Sequence, residues 1–322
     1  MILPSSIADQ LASSAKDKGL VQLLEVFLRL SHEISENLRH CHFSHEVLGS
    51  MNTFGDEQLA ADVEANTLIV HHLKESRLVS TVSSEEDPVE LELGGEGFSV
   101  AFDPLDGSSI IDANFAVGSI FGVWEGRGLL NRLGRDQICS FIVQYGPRVT
   151  MALALNHSAT LSGDKVSIEL TLTQAGWVVS IPRININPTC KTFAPGNLRA
   201  TADNPRYRDL VSFWIDNKYT LRYSGGLVPD VYHIFIKQGG ILSNASSKAA
   251  KAKLRLLYEC APIALIVEAA GGMSCVCSSE ANEHCEPVSL LDVAVTDLDK
   301  RVGVCYGSKE EVERFKSYIF SA

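Results

Sequence analysis

The sequence predicts an α/β protein built as two packed halves, and three observations carry that prediction. Apolar residues recur at helical spacing in some stretches and at every second position in others. The chain has 322 residues, 45% of them hydrophobic, enough for two ordinary domains with ample core. A stretch rich in Pro, Asn and Thr spans 182–205, and its first part, 182–195, is where a boundary is expected. We therefore divide the chain into residues 1–188 and 189–322. The net charge of −11 argues against a nucleic-acid surface. An anionic ligand would need local cations to offset that field. No apolar run reaches membrane-spanning length. The start, Met1-Ile-Leu-Pro-Ser-Ser, lacks a signal peptide's basic start and a transit peptide's arginines, so a cytoplasmic chain is expected.

Leu20, Leu23, Leu24, Phe27, Leu30, Ile34 and Leu38 follow the helical period over 20–38. A second helix is expected from Asp56, a natural N-cap, through Leu59, Val63, Leu68 and Leu73. Leu78–Val82 reads as a short strand running into Ser84-Glu-Glu86 and stopping at Pro88. Phe98, Val100 and Phe102 alternate along another strand. Ala116–Trp124 reads as a buried strand. Asp136–Tyr145 reads as a helix, with Ile138, Phe141, Ile142 and Tyr145 on one face. Thr150–Leu155 and Lys165–Thr173 read as strands. In the second half, helices are expected at Tyr207–Trp214, Ile263–Ala270 and 308–319, and strands at 290–296 and 302–306. Pro262 suits a first helical turn and Gly271-Gly272 a helix end.

The chemistry concentrates at Asp103-Pro-Leu-Asp106-Gly-Ser-Ser109. Proline stops the strand. Two carboxylates then stand beside small residues with backbone N–H groups and hydroxyls. Such a turn can hold a hard cation next to a phosphate. Glu85 and Glu86 end another strand; if the two strands are neighbours, their acidic ends converge. Glu259 lies in an apolar run at a late helix start, and Asp62 on the second helix. Clustered carboxylates stay ionised together only when cations neutralise them, and oxygen-rich sites suit Mg²⁺ or Mn²⁺. As a plainer alternative, most of these are caps and turn acids, and Lys248, Lys251, Lys253 and Arg255 are a solvated face. Cys275-Val-Cys277 with His284-Cys285 lacks a CxxC pair and borders a polar loop, so zinc is not expected. The eight cysteines are dispersed, which does not suggest a disulfide scaffold. GxSxG, Walker A and GxGxxG motifs are absent.

The Asp103–Ser109 string resembles the metal-binding motif of the fructose-1,6-bisphosphatase superfamily, which includes inositol monophosphatases. Gly55-Asp-Glu-Gln58, Ser84-Glu-Glu86 and Lys253-Leu-Arg-Leu-Leu-Tyr-Glu259 fit as well. Ile110–Gly118, Pro195–Thr201 and Tyr219–Asp230 resemble the branch acting on seven-carbon sugar bisphosphates. The resemblance implies a layered α-β-α-β-α sugar-phosphatase fold, with metal bound by the first half and substrate mainly by the second. It implies that Glu85, Asp103, the Leu105 carbonyl, Asp106 and Glu259 ligate Mg²⁺ (or Mn²⁺). Glu86 and Asp62 would orient or deprotonate the attacking water. Gly107, Ser108, Ser109 and Arg255 would hold the 1-phosphate. Asn197, Arg222 and Tyr223 would hold the distal phosphate, Arg222 serving a neighbouring subunit of a homodimer or homotetramer. Gly225, Leu227 and Lys253 would contact the sugar.

The implied reaction is hydrolysis of the 1-phosphate of a seven-carbon sugar 1,7-bisphosphate. A six-carbon or dual-specificity bisphosphatase is the alternative, and a catalytically inactive sugar-phosphate-binding regulator is a different class. Two departures stand out. Gly97-Phe98 replaces the Lys-Tyr that binds AMP in fructose-1,6-bisphosphatases, so AMP inhibition is not expected. His45 and Ser50 stand where plastid relatives carry a redox pair of cysteines, which excludes thioredoxin switching through that disulfide.

Overall fold

A computed structural model describes residues 15–40, 47–51, 57–277 and 287–320. Asp56, His45 and residues 278–285 lie outside the described residues, and of Ser50 only the backbone is described. In chain order the elements are α1 (Lys18–His40), β1 (Val47–Met51), β2 (Glu57–Leu59), α2 (Ala60–Ser76), β3 (Val79–Ser84), β4 (Leu91–Glu92) and β5 (Phe98–Asp106). Next come α3 (Ser108–Ile111), β6 (Val117–Glu125), β7 (Gln137–Tyr145), β8 (Val149–Leu155), β9 (Val166–Thr173) and β10 (Gly176–Ile181). The second half holds β11 (Thr192–Pro195), α4 (Pro205–Asp216), β12 (Thr220–Leu221), α5 (Leu227–Ile236) and β13 (Ile241–Asn244). It closes with α6 (Ala261–Ala269), β14 (Met273–Cys277), β15 (Gly303–Gly307) and α7 (Lys309–Ile319). Among the described residues, no helix is long and apolar enough to cross a membrane.

Two sheets organise these elements. An eight-stranded sheet runs β10-β9-β8-β7-β6-β5-β3-β4, and a five-stranded sheet runs β12-β11-β13-β15-β14. One core lies between α1/α2 and the outer face of the large sheet, where Phe27 packs on Phe121 and Phe141 with ring centroids 5.0 and 4.7 Å away. A second core fills the space between the sheets around α5 and α6. A third packs α4 and α7 on the far face of the small sheet. The molecule is therefore layered α-β-α-β-α. The large sheet ends at Ile181 and the small one begins at Thr192, yet α5 and α6 of the second half pack on the large sheet.

Burial on every side explains α6. Residues Ala261 to Val267 are all buried, as expected of a helix apolar all round and held between two layers. Three readings are corrected; the helix expected from Asp56 through Leu59 begins only at Ala60, because Glu57–Leu59 is a strand paired with β1. Residues 137–145 form a central strand between β6 and β8, not a helix. Both faces of β7 are covered, so no alternation survives to mark it as β. Residues 290–296 form no strand: 290–292 are a 3₁₀ turn, with the Ser289 hydroxyl accepting from Leu291 N–H at 3.1 Å, and Ala294 makes an isolated bridge to Leu133. Cys275 and Cys277 are buried on β14 facing α4 and α7, with Val276 turned to the central layer.

Close packing also ties α5 to the large sheet. A Cβ added to Gly118 would overlap the Val228 side chain and lie 2.5 Å from the Val143 carbonyl oxygen. Gly118→Ala is expected to destabilise the fold by about 1–3 kcal/mol, the usual cost of overpacking. Denaturant unfolding checks this, and an unchanged midpoint would refute the close approach.

Candidate active site

β3 and β5 are parallel neighbours, with Ser84 opposite Phe102, so their acidic ends leave the sheet side by side. Glu85 N–H donates to the Phe102 carbonyl at 3.0 Å. The register between β5 and β6 shifts between Asp103 and Asp106, where Pro104 interrupts the ladder. The Pro104 carbonyl instead accepts from Ser119 Oγ at 2.7 Å, and Asp103 Oδ1 accepts from Leu105 N–H at 3.0 Å. Glu259 arrives from the central layer on a π-helical turn over Leu256–Cys260. The Arg255 carbonyl accepts from both Glu259 N–H and Cys260 N–H, at 3.2 and 3.1 Å. Such wide turns re-aim a side chain and are frequent at functional sites. Tyr258 on that turn hydrogen-bonds Ser83 of β3 at 2.8 Å, tying the two elements together.

The result is a carboxylate triad. One oxygen each from Glu85, Asp103 and Glu259 lie within 4.8 Å of one another. Asp103 and Glu259 are buried. Burial, then the field of Glu85, Asp106, Glu259 and Asp62, holds the Asp103 carboxyl well above the usual range. Burial and Glu85 do the same to Glu259, although Arg255 N–H donates to its Oε2 at 2.5 Å. Asp62 is buried in the first turn of α2, near enough to act on Asp103. An all-oxygen, mutually repelling donor set of this kind fits a hard divalent cation, which would relieve the repulsion.

Asp106 is placed differently. Its Oδ1 accepts from Leu227 N–H at 3.1 Å and its Oδ2 from Val228 N–H at 2.6 Å, at the N-terminus of α5, where a carboxylate is favoured. Burial still outweighs those bonds and pushes its pKa up to about 7. Glu86 is half-buried on the loop after β3, its N–H donating to Ser84 Oγ at 3.2 Å. Gly107 turns the chain at φ 87° into α3, which begins with Ser108 and Ser109. Arg255 is buried, with Nη1 on Glu85 and Nε on Asp299 Oδ1 at 2.6 Å.

Of the residues expected to hold the distal phosphate, Tyr223 and Asn197 meet at the Gly196–Asn197 turn. Tyr223 is half-exposed and its hydroxyl donates to the Gly196 carbonyl at 3.0 Å. Asn197 is buried, and its Nδ2 donates to the Ala245 and Ala250 carbonyls, both at 2.9 Å. It thereby pins the 245–250 loop. Arg222 is exposed, with Nη1 donating to the Leu221 carbonyl at 2.8 Å. Gly225 lies at φ 104°, and Lys253 is exposed.

Three functional neighbours were not singled out from the sequence. Asp230 accepts from Ser224 and Gly225 N–H at 2.7 and 3.3 Å, shaping the turn before α5 and acting on Asp106. Its place at the end of the Tyr219–Asp230 string was the available signal. Asp299 and Ser83 gave none, since each acquires its role only through a partner distant in sequence.

The proton balance sets a stability prediction for the metal-free protein. Asp103, Asp106 and Glu259 hold their protons to higher pH when folded than when unfolded. Their contribution is therefore fully present below the unfolded carboxylate range of about 4. It is lost as pH rises through about 7, where Asp106 ionises, and above. Without divalent cation, Tm is expected to fall by a few degrees between pH 5 and 8. Excess Mg²⁺ should raise Tm more at pH 8 than at pH 5. A metal-free Tm that climbs over this range would contradict the raised carboxyl groups.

Comparison with known proteins places this architecture in a class. Residues 2–163 match the N-terminal domain of fructose-1-6-bisphosphatase, and residues 186–320 match its C-terminal domain. The chain belongs to the fructose-1,6-bisphosphatase family, whose members are metal-dependent phosphatases. Among its relatives, the chloroplastic sedoheptulose-1,7-bisphosphatase of Chlamydomonas reinhardtii is 42% identical over 98% of this chain and 77% of its own length. The Spinacia oleracea counterpart is 44% identical over 99% of this chain and 79% of its own. A class 1 fructose-1,6-bisphosphatase of Trichlorobacter lovleyi is 35% identical over 86% of this chain and 83% of its own. A crystal structure assigned as a sedoheptulose-1,7-bisphosphatase from Toxoplasma gondii superposes with a TM-score of 0.87, at 39% identity and 99% coverage of both chains. The holo fructose-1,6-bisphosphatase of Leishmania major gives 0.85 at 26% identity, covering 99% of this chain and 98% of its own.

Proposed function

We propose that the protein hydrolyses the 1-phosphate of sedoheptulose 1,7-bisphosphate to sedoheptulose 7-phosphate and phosphate, using Mg²⁺. The observation that carries this reading is the Glu85–Asp103–Glu259 triad, with Asp103 and Glu259 buried, in a chain 41–44% identical, over nearly its whole length, to three sedoheptulose-1,7-bisphosphatases. Glu85, Asp103 and Glu259 would hold the cation, with Asp106 and the Leu105 carbonyl beside them. When bound, Mg²⁺ supplies Lewis-acid stabilisation and a more acidic water. Mn²⁺ suits the same oxygen donors.

The chain's own groups do the rest. Glu86, on the loop beside the triad, accepts a proton from the attacking water, and Asp62 helps to orient it. The N–H groups following Gly107, the Ser108 and Ser109 hydroxyls and Arg255 hold the 1-phosphate. Leu227, Gly225 and Lys253 contact the sugar. Asn197, Arg222 and Tyr223 receive the distal phosphate, whose binding fixes the reacting end in place. The exposure of Arg222 supports its serving a neighbouring copy of the chain in a dimer or tetramer.

The deciding experiment compares turnover of sedoheptulose 1,7-bisphosphate and fructose 1,6-bisphosphate by one preparation. A kcat/KM higher for the seven-carbon sugar is the expected result. Preference for the six-carbon sugar would replace this reading with the fructose-1,6-bisphosphatase one. Tight binding of both without phosphate release would make the protein a regulator.

A further inference from the structure

Arg255 is gripped on two edges of its guanidinium. Nη1 donates to Glu85, and Nε donates to Asp299 Oδ1 at 2.6 Å. The Arg255 side chain is 5% exposed and that of Asp299 20%. The backbone holds the second pairing in register. Arg255 and Arg301 form an antiparallel bridge. Leu256 N–H donates to the Lys300 carbonyl at 2.8 Å, and Val302 N–H to the Leu254 carbonyl at 2.9 Å. Asp299 is itself steadied, its N–H donating to Asp297 Oδ1 at 2.9 Å, and Arg301 Nε lies 3.4 Å from each of its carboxylate oxygens.

The two grips differ in what else claims them. Glu85 belongs to the carboxylate triad, so a cation there competes with Nη1 for its oxygens. Asp299 stands outside the triad and meets the opposite edge of the planar guanidinium. A guanidinium offers donors on separate edges in a rigid fork, so one edge can be exchanged while the other stays bonded. We propose that Asp299 is a positioning residue that holds Arg255 by Nε, leaving the Nη1 edge able to pass from Glu85 to the substrate phosphate. This rests on the sugar-bisphosphatase reading above. Asp299 also balances the buried cation. Without it, the charge of Arg255 falls on Glu85 and draws that carboxylate away from the metal.

The test compares full-length Asp299→Asn, Asp299→Glu, Arg255→Ala and the Asp299→Asn/Arg255→Ala double variant. Two readouts that a purely structural role would not move are the inhibition constant for inorganic phosphate and Mn²⁺ binding by calorimetry without substrate. For Asp299→Asn, weakening of about tenfold is expected in both, as for loss of one charge-assisted hydrogen bond. KM should rise more than kcat falls, and Asp299→Glu should recover most of the loss. In the Arg255→Ala background, Asp299→Asn should change phosphate inhibition less than about twofold, because coupled residues are non-additive. Unchanged phosphate inhibition in Asp299→Asn, or full additivity in the double variant, overturns the proposal. If the wild type hydrolyses no sugar bisphosphate, the functional reading fails. Calorimetric titration of phosphate into Mn²⁺-loaded wild type and Asp299→Asn still decides the role of Asp299: weaker uptake by the variant supports it, and equal or absent uptake by both overturns it.

Discussion

Asp103→Asn is expected to lower kcat/KM by about 10³-fold or more at saturating Mg²⁺, the loss of roughly 4 kcal/mol of transition-state stabilisation. The substitution is close to isosteric. Asn keeps an oxygen to accept Leu105 N–H, which Asp103 Oδ1 now accepts at 3.0 Å. What disappears is the charge at the point where the fields of Glu85, Asp106, Glu259 and Asp62 all meet. The same change should raise the Tm of the metal-free protein, because a buried, repelled carboxyl group has been removed. Opposite signs for activity and stability are the signature of a carboxylate kept for metal rather than for folding. Near-normal turnover would remove Asp103 from the metal set, and a lowered metal-free Tm would show that its charge supports the fold.

Glu86→Gln is expected to lower kcat by about 10²–10⁴-fold, the range for loss of a general base, while Mg²⁺ binding stays close to that of the wild type. Glu85 and Glu86 are adjacent in sequence, yet they leave the end of β3 for different partners. Glu85 joins the triad and pairs with Arg255. Glu86 is half-buried on the following loop. Glu85→Gln should therefore weaken metal binding and Glu86→Gln should not; calorimetric titration of Mn²⁺ separates them. Full activity in Glu86→Gln would transfer the base to another group, with Asp62→Asn the next variant to measure.

Much of this site was legible one residue at a time. The Asp103–Ser109 string marked a strand ending in two acids and a Gly-Ser turn, and Ser84-Glu-Glu86 marked a second acidic strand end. Both are local patterns, in which strand alternation, a proline stop and a glycine turn act within a few residues. The amphipathic α1 was legible for the same reason, since six of its seven apolar positions on the expected face are buried. β7 was not, because a strand covered on both faces has no polar side to give its period away.

The sequence alone therefore determined the chemistry present: which carboxylates, arginines and glycines the chain carries, and the short-range turns that present them. Tertiary structure decided how those groups are shared. It made β3 and β5 parallel neighbours, so that Glu85 and Asp103 converge. It brought Glu259 to them from the central helical layer on a π turn. It committed Asp106 to the α5 N-terminus and Arg255 to both Glu85 and Asp299. These partners lie 44 to 170 positions apart, and their strength depends on burial. Both distance and burial arise only when the two sheets close on the layer between them.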